Sequence, residues 1–244
     1  MESSQSAITA WQQFVAEHSC EQHAAFAASL IPNLRYPIHG VQLPELRRYA
    51  KRLARGNWRE WLDEMRTDGS LEEVMLRGFL TGYAKMEWAE QLERVEKFVA
   101  HIDNWSVCDS CSATFTQFRE HRSEGWLFLQ PYLHSEQEYE QRFAAVMMLN
   151  HYLCDEYIDR VLEALAAIRP NGYYSTMAIG WALATAFAKY PEKTFALLNE
   201  GNLLPESRRK ACRKILESLS TPQEWRIAIK NLNNKEGVSL LPTS

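Results

Sequence analysis

The pair of residues best suited to chemistry in this sequence is an indole and a carboxylate four positions apart, Trp105 and Asp109. On a helix, i,i+4 spacing puts both side chains on one face. In the run His101-Ile102-Asp103-Asn104-Trp105-Ser106-Val107-Cys108-Asp109, either Asn104 or Ser106 can cap a new helix. A carboxylate in the first turn of that helix would feel the positive end of its dipole, which favours the ionised form. Two later residues extend the group: Arg142 lies 33 residues beyond Asp109, and Trp181 lies 39 beyond Arg142. In a chain of stacked helical repeats of that length, residues one repeat apart take equivalent positions, and all four line one groove. Aromatic faces suit a cationic nucleobase, an arginine suits phosphate, and a carboxylate suits a developing positive charge; together they fit a nucleic-acid substrate. The same residue types equally suit a core anchor and a helix cap at Trp105 and Asp109, an ion pair at Arg142 and core packing at Trp181. Spacing alone leaves both readings open.

Helices must position such a group, and the pattern predicts little else. Only ten glycines and nine prolines punctuate 244 residues, sparse for a β protein. Apolar stripes at helical spacing predict helices over 6–18, 21–31, 44–55, 57–65, 71–85, 88–101, 106–120, 124–132, 136–152, 154–168, 173–189, 191–200, 205–219 and 222–232. Pro32, Arg169-Pro170-Asn171-Gly172, Tyr190-Pro191 and Leu204-Pro205 separate several of them. The expected fold is all-α, a HEAT-like helical-repeat solenoid, curved with a concave groove. From about residue 88 onward the helical pairs fit a period in the high thirties. No linker divides the chain, so one domain over 1–244 is expected, with 233–244 a frayed tail.

Composition narrows the class. A hydrophobic fraction of 46% with 24% charged residues is ordinary for a globular protein. No stretch approaches the ~20 apolar residues of a membrane span, and Met1-Glu2-Ser3-Ser4-Gln5-Ser6 lacks the character of a signal peptide. Five cysteines (Cys20, Cys108, Cys111, Cys154, Cys212) show no disulfide-framework spacing and suit reduced thiols, so a cytoplasmic location is expected. Cys108-x-x-Cys111 lacks a second pair or a histidine at ligand spacing, and no metal site is expected there. Gly78 and Gly82, four apart, read as a site of close helix packing. Among the eight tryptophans, Trp11, Trp58, Trp61, Trp88 and Trp126 read as core, and Trp225 beside a basic segment is ambiguous. The net charge is −4, but it is segregated. Residues 35–59 and 205–230 hold fourteen basic and four acidic side chains, a net of +10 that leaves −14 for the remainder. Such segments either bind a polyanion locally or are solvated helix faces.

At the residues named first, the sequence resembles the AlkD-type DNA alkylation repair proteins. The likeness runs from about Gly40 to Ile215. It includes Gly40-Val41-Gln42-Leu43-Pro44-Glu45-Leu46-Arg47-Arg48, the Trp105/Asp109 segment, Gln141-Arg142-Phe143-Ala144-Ala145, Ala178-Ile179-Gly180-Trp181, and Leu203-Leu204-Pro205-Glu206-Ser207-Arg208-Arg209-Lys210-Ala211. The resemblance implies a HEAT-like fold and a monofunctional glycosylase. That enzyme would release cationic N3- and N7-alkylpurines from duplex DNA, as a monomer, without metal, cofactor or the deep base pocket of flipping enzymes. Asp109 would be the catalytic carboxylate, stabilising the oxocarbenium-like sugar and orienting water. Trp105 and Trp181 would pack on the lesion-bearing nucleotide, and Arg142 would clamp a phosphate. Arg47, Arg48 and Lys51, with Arg208, Arg209 and Lys210, would grip the DNA backbone on either side. The sequence departs from the family's catalytically characterised branch at Asn104 and Ser106, where that branch has a second Trp and an Asp, at Met177, where it has a lysine, and at Leu183-Ala184-Thr185-Ala186, where it has an arginine-containing stretch. Two alternatives stand beside this reading: a catalytically silent protein that binds distorted or branched nucleic acid, and a protein-interaction scaffold.

Overall fold

Fourteen α-helices and one 3₁₀ turn make up the secondary structure of the described residues, 6–32, 34–64, 69–200 and 202–234, in the computed structural model. The helices are α1 Ala7–His18, α2 Glu21–Leu30, α3 Leu43–Leu53, α4 Trp58–Glu64, α5 Leu71–Tyr83, α6 Trp88–Val99 and α7 Trp105–Ser112. They continue as α8 Arg122–Leu133, α9 Glu138–His151, α10 Ile158–Ala167, α11 Tyr173–Lys189, α12 Pro191–Glu200, α13 Pro205–Glu217 and α14 Gln223–Asn234. No strand occurs among the described residues, so the fold is all-α. No described helix is long and apolar enough to cross a membrane.

Most boundaries fall within a few residues of expectation because the termini carry strong local signals. Ser6 caps α1 by accepting from the Thr9 amide, and Ser70 caps α5 by accepting from the Glu73 amide at 3.2 Å. Pro44 and Pro205 occupy the first turns of α3 and α13, where no N–H partner is needed. The one helix expected over 106–120 is instead α7 and a 3₁₀ turn at Thr116–Arg119. Thr114 causes the break: its amide and its Oγ1 both bond the Cys111 carbonyl, at 2.8 and 2.6 Å, closing the helix early. At the other end, α14 continues through Asn234, two residues into the expected tail; residues 235–244 lie outside the described residues.

The chain forms two compact units, Met1–His121 and Arg122–Ser244. In the first, α5 is buried over most of its circumference, through Leu71, Val74, Met75, Leu76, Phe79 and Leu80 among others. It packs between α3 and α7, with α4 and α6 also against it. The glycines at 78 and 82 permit the approach to α7: a Cβ at Gly78 would stand 2.6 Å from the Cys111 sulfur, and one at Gly82 2.6 Å from the Thr114 Cβ. The second unit is built likewise around α11, which packs most extensively on α13 and α9. There, a Cβ at Gly180 would stand 2.7 Å from the Lys210 Cβ.

In each unit the odd-numbered helices form the packed row, as successive hairpins of a helical-repeat solenoid do. The helices α5, α7, α9, α11 and α13 start at Leu71, Trp105, Glu138, Tyr173 and Pro205, which are 34, 33, 35 and 32 residues apart. The period is therefore shorter than the high thirties expected from sequence, because the loops between hairpins are short.

Candidate functional site

Every residue singled out for chemistry or DNA contact sits on an odd-numbered helix. Arg47, Asp109, Arg142 and Arg209 are each the fifth residue of their helix, and Met177 is the fifth of α11. The repeat thus presents the same helical position in α3, α7, α9, α11 and α13, although the side chains it carries differ in sign and burial.

In the first unit, Asn104 is the N-cap of α7 and its Oδ1 accepts from the Val107 amide at 3.0 Å. This choice of cap makes Trp105 the first helical residue and places Asp109 in the second turn, not the first. The helix dipole, felt mainly in the first turn, therefore acts only weakly on Asp109. Val107, Cys108, Cys111 and Ser112 form the buried face of α7, whereas Trp105, Ser106, Asp109 and Ser110 are half-buried. Trp105 and Asp109 therefore do share an accessible face. The indole is anchored, because its Nε1 donates to the Leu30 carbonyl at 3.1 Å. Trp105 and Ser106 also border an apolar cleft of about 390 Å³ whose other walls include Phe26, Leu30, Leu43 and Met75.

Two supports hold this face. Arg47 reaches from α3 to donate to the Ser110 carbonyl, next to Asp109, and to the Tyr83 hydroxyl, both at 2.9 Å. Its guanidinium also lies 4.6 Å from the centre of the Phe79 ring. Two of its N–H groups are thus spent inside the protein, and it joins α3, α5 and α7 where sequence reading expected a backbone contact. In the wall of the same cleft, the buried Glu72 carboxylate accepts from the backbone amides of His39, Gly40 and Val41 at 2.8 to 3.3 Å. This fixes the segment that leads into α3, where Gly40 adopts a φ of +80° open chiefly to glycine.

In the second unit, α9 holds the start of α11. The Glu138 carboxylate accepts from the Tyr174 and Ser175 amides, capping a helix whose own N-cap residue, Gly172, has no side chain. Gln141 is buried and bonds the carbonyls of Ser135 and Arg169 and the amide of Asn171, at 2.8 to 2.9 Å. Arg142 is only 6% exposed and donates to the Tyr174 carbonyl at 2.8 Å. Trp181, next to the tightly packed Gly180, is half-buried on α11.

Of the remaining DNA-contact candidates, Arg48 is exposed and paired with Glu45, and Lys51 is exposed over the Tyr83 ring. Arg209 is exposed, and Lys210 is half-buried with its Nζ 4.9 Å from the centre of the Tyr173 ring. Arg208 is buried at 6% exposure, on the inner face of α13, so the three neighbours expected to act together split between surface and interior. Tyr83, Glu138 and Gln141 were not apparent as supports because each acts on a partner more than twenty-five residues away.

Burial places several of the other singled-out residues in the core. Cys108 and Cys111 are buried in α7, and burial pushes the Cys111 thiol well above its usual range. No group of three or more His, Cys, Asp and Glu among the described residues is placed to hold a metal. Of the five tryptophans expected in the core, Trp11, Trp58 and Trp126 are buried and Trp61 and Trp88 are half-buried, while Trp225 packs against Phe187 and Phe195.

Compared with known proteins, the sequence matches the family model described as DNA alkylation repair enzyme over residues 12–215. The match begins within α1, well before the Gly40 start of the resemblance, and ends with it in α13. No curated protein matches the sequence.

Proposed function

This chain belongs to the family of DNA alkylation repair enzymes, and from that premise we propose that it is a glycosylase releasing cationic N3- and N7-alkylpurines from duplex DNA. The observation that carries the proposal is the anchored pair on α7. An indole held by the Leu30 carbonyl and a carboxylate one turn on share the accessible face of a helix whose opposite face is core.

The chemistry asks little more of the protein. In an N3- or N7-alkylated purine the base already carries positive charge, so breaking the C1′–N9 bond sends the electron pair to a base that leaves neutral. No strong general acid is needed. The sugar becomes an oxocarbenium-like cation, which the Asp109 carboxylate stabilises. Water then adds at C1′ and loses its proton to the carboxylate or to solvent, leaving an abasic site. The Trp105 face stabilises the cationic nucleotide through its π system. In the second unit the Arg142 guanidinium is buried against the Tyr174 carbonyl and Trp181 is half-buried, so the proposal rests on the α7 pair alone. Asn104, one of the departures from the catalytic pattern, caps α7 in this chain.

The deciding measurement is chromatographic detection of bases released from methylated duplex DNA. Wild type releases 7-methylguanine, and Asp109→Asn slows release by about 10²–10³-fold while duplex binding survives. Wild type that releases no alkylated base would refute the proposal. Duplex binding without release, in the same assay, would favour the catalytically silent reading, for which Asn104, Ser106 and Met177 are the motivating departures.

A further inference from the structure

Helix α7 carries the proposed reacting pair on only eight residues, Trp105–Ser112. Helices shorter than about 12 residues are marginal alone in water, so the geometry of α7 depends on what holds it. Its C-terminal end needs this most, because the last carbonyls of a helix lack intrahelical donors. The chain just beyond supplies two of them. The Thr114 amide bonds the Cys111 carbonyl at 2.8 Å, and the Phe115 amide bonds the Ser112 carbonyl at 3.2 Å. The Ser110 carbonyl is supplied from α3, by the Arg47 guanidinium at 2.9 Å. We propose that Arg47 is a positioning residue for base release, a cationic cap on α7 that sets where the Asp109 carboxylate stands; the inference rests on the glycosylase reading of Asp109.

Three features support this role. First, Arg47 grips two helices at once. One terminal nitrogen donates to the Ser110 carbonyl and the other to the Tyr83 hydroxyl of α5, while the guanidinium lies 4.6 Å from the centre of the Phe79 ring. Phe79 is fully buried, so α5 is a fixed reference to which Arg47 ties the end of α7. A planar fork spans two acceptors while resting on a ring, which suits arginine better than a lysine ammonium on a flexible stem. Second, the bonded carbonyl belongs to the residue next to Asp109. At its other end α7 is held by the Trp105 indole, which donates to the Leu30 carbonyl at 3.1 Å. The accessible face is therefore pinned at Trp105 by the end of α2 and at Ser110 by α3, with Asp109 between the pins. Third, both hydrogen-bond partners of Arg47 are neutral. Its charge is offset by the negative end of the α7 dipole, where a cation stabilises the helix. Without the cap the last turn of α7 is free to shift, and a misplacement of about 1 Å at a reacting group costs about 10²-fold in rate.

The test pairs the single-turnover rate of 7-methylguanine release with duplex affinity by fluorescence anisotropy, on the full-length protein. Arg47→Met keeps an apolar stem over Phe79 and removes both donors. It is expected to slow release by about 10²-fold with duplex affinity unchanged. Arg47→Lys, which keeps a cation within reach of the Ser110 carbonyl, restores most of the rate. Leu62→Ala, a truncation of a buried residue in α4, lowers Tm without slowing release, which separates positioning from stability. With Asp109→Asn already in place, Arg47→Met slows release no further, because residues acting through one group are not additive. A wild-type rate in Arg47→Met overturns the proposal, as does an equal slowing in the Asp109→Asn background. A parallel loss of duplex affinity also overturns it, since Arg47 would then be a DNA contact. Should Arg47→Met fail to fold, Arg47→Gln takes its place and is read in the same way. Hydrogen exchange supplies a readout that needs no base release: the Thr114 and Phe115 amides exchange faster in Arg47→Met, while those of α5 do not. Faster exchange with no base released by wild type sinks the glycosylase but not the cap. Release by wild type, with rate and exchange unchanged in Arg47→Met, sinks only the positioning role.

Discussion

Two residues ahead of Trp105, the Asp103 carboxyl accepts from the Asn104 amide at 2.7 Å and keeps its other oxygen, Oδ2, buried without a hydrogen-bond partner. Burial raises its pKa above 3.8, and the Asn104 bond and the Arg35 charge offset this only in part. The folded protein therefore holds this proton more tightly than the unfolded chain. Stability from this group is present at low pH and is lost as pH rises through the raised value, so the penalty is complete at neutral pH. Asp103→Asn is expected to raise Tm at neutral pH and to lose that advantage below pH 3.8. Thermal scans at the two pH values check this, and an equal gain at both would refute it. A carboxylate retained at a stability cost beside the proposed site accords with functional residues being placed against stability.

Helix packing sets the next scale. A glycine inside an exposed helix is about 1 kcal/mol worse than alanine, so Gly82→Ala would stabilise α5 were it free. In the protein its Cβ would collide with Thr114, including backbone 3.0 Å away. The expected result is therefore the opposite sign, a loss of about 1–3 kcal/mol from overpacking, read from the urea midpoint. The same contact explains why the stretch 106–120 is not one helix: Thr114 is seated on Gly82, and its side chain and amide turn back to Cys111. Neither glycine nor proline marks that break, so no local signal announces it. By contrast, Ser6, Ser70, Pro44 and Pro205 announce their helix ends in the chain itself, which is why most boundaries are legible from sequence.

For the whole molecule, the contrast within Arg208-Arg209-Lys210 shows where segment charge misleads. The three contribute equally to the basic count of 205–230, yet Arg208 is buried and Arg209 is exposed. Arg208→Ala is expected to lower stability by about 1–3 kcal/mol and to leave the salt slope of duplex binding intact. Arg209→Glu is expected to weaken duplex binding at low salt with little change in Tm. Urea titration and anisotropy on both variants separate the effects, and a stable Arg208→Ala with weakened binding would reverse the assignment. Despite a net charge of −4, binding is expected to fall steeply with salt, because the cations act locally at the surface.

The sequence by itself determined the all-α fold, the order and most ends of the helices, and the pairing of Trp105 with Asp109. Those follow from periodicity and capping, which are local. Only the tertiary structure decided which charges are available. It spent Arg47 on Ser110 and Tyr83, turned Arg142 to the Tyr174 carbonyl, buried Arg208, and brought Lys85 to Lys51 and Arg55. A long cationic side chain can reach solvent, a carbonyl or a distant hydroxyl, and the choice depends on partners that folding brings from many residues away.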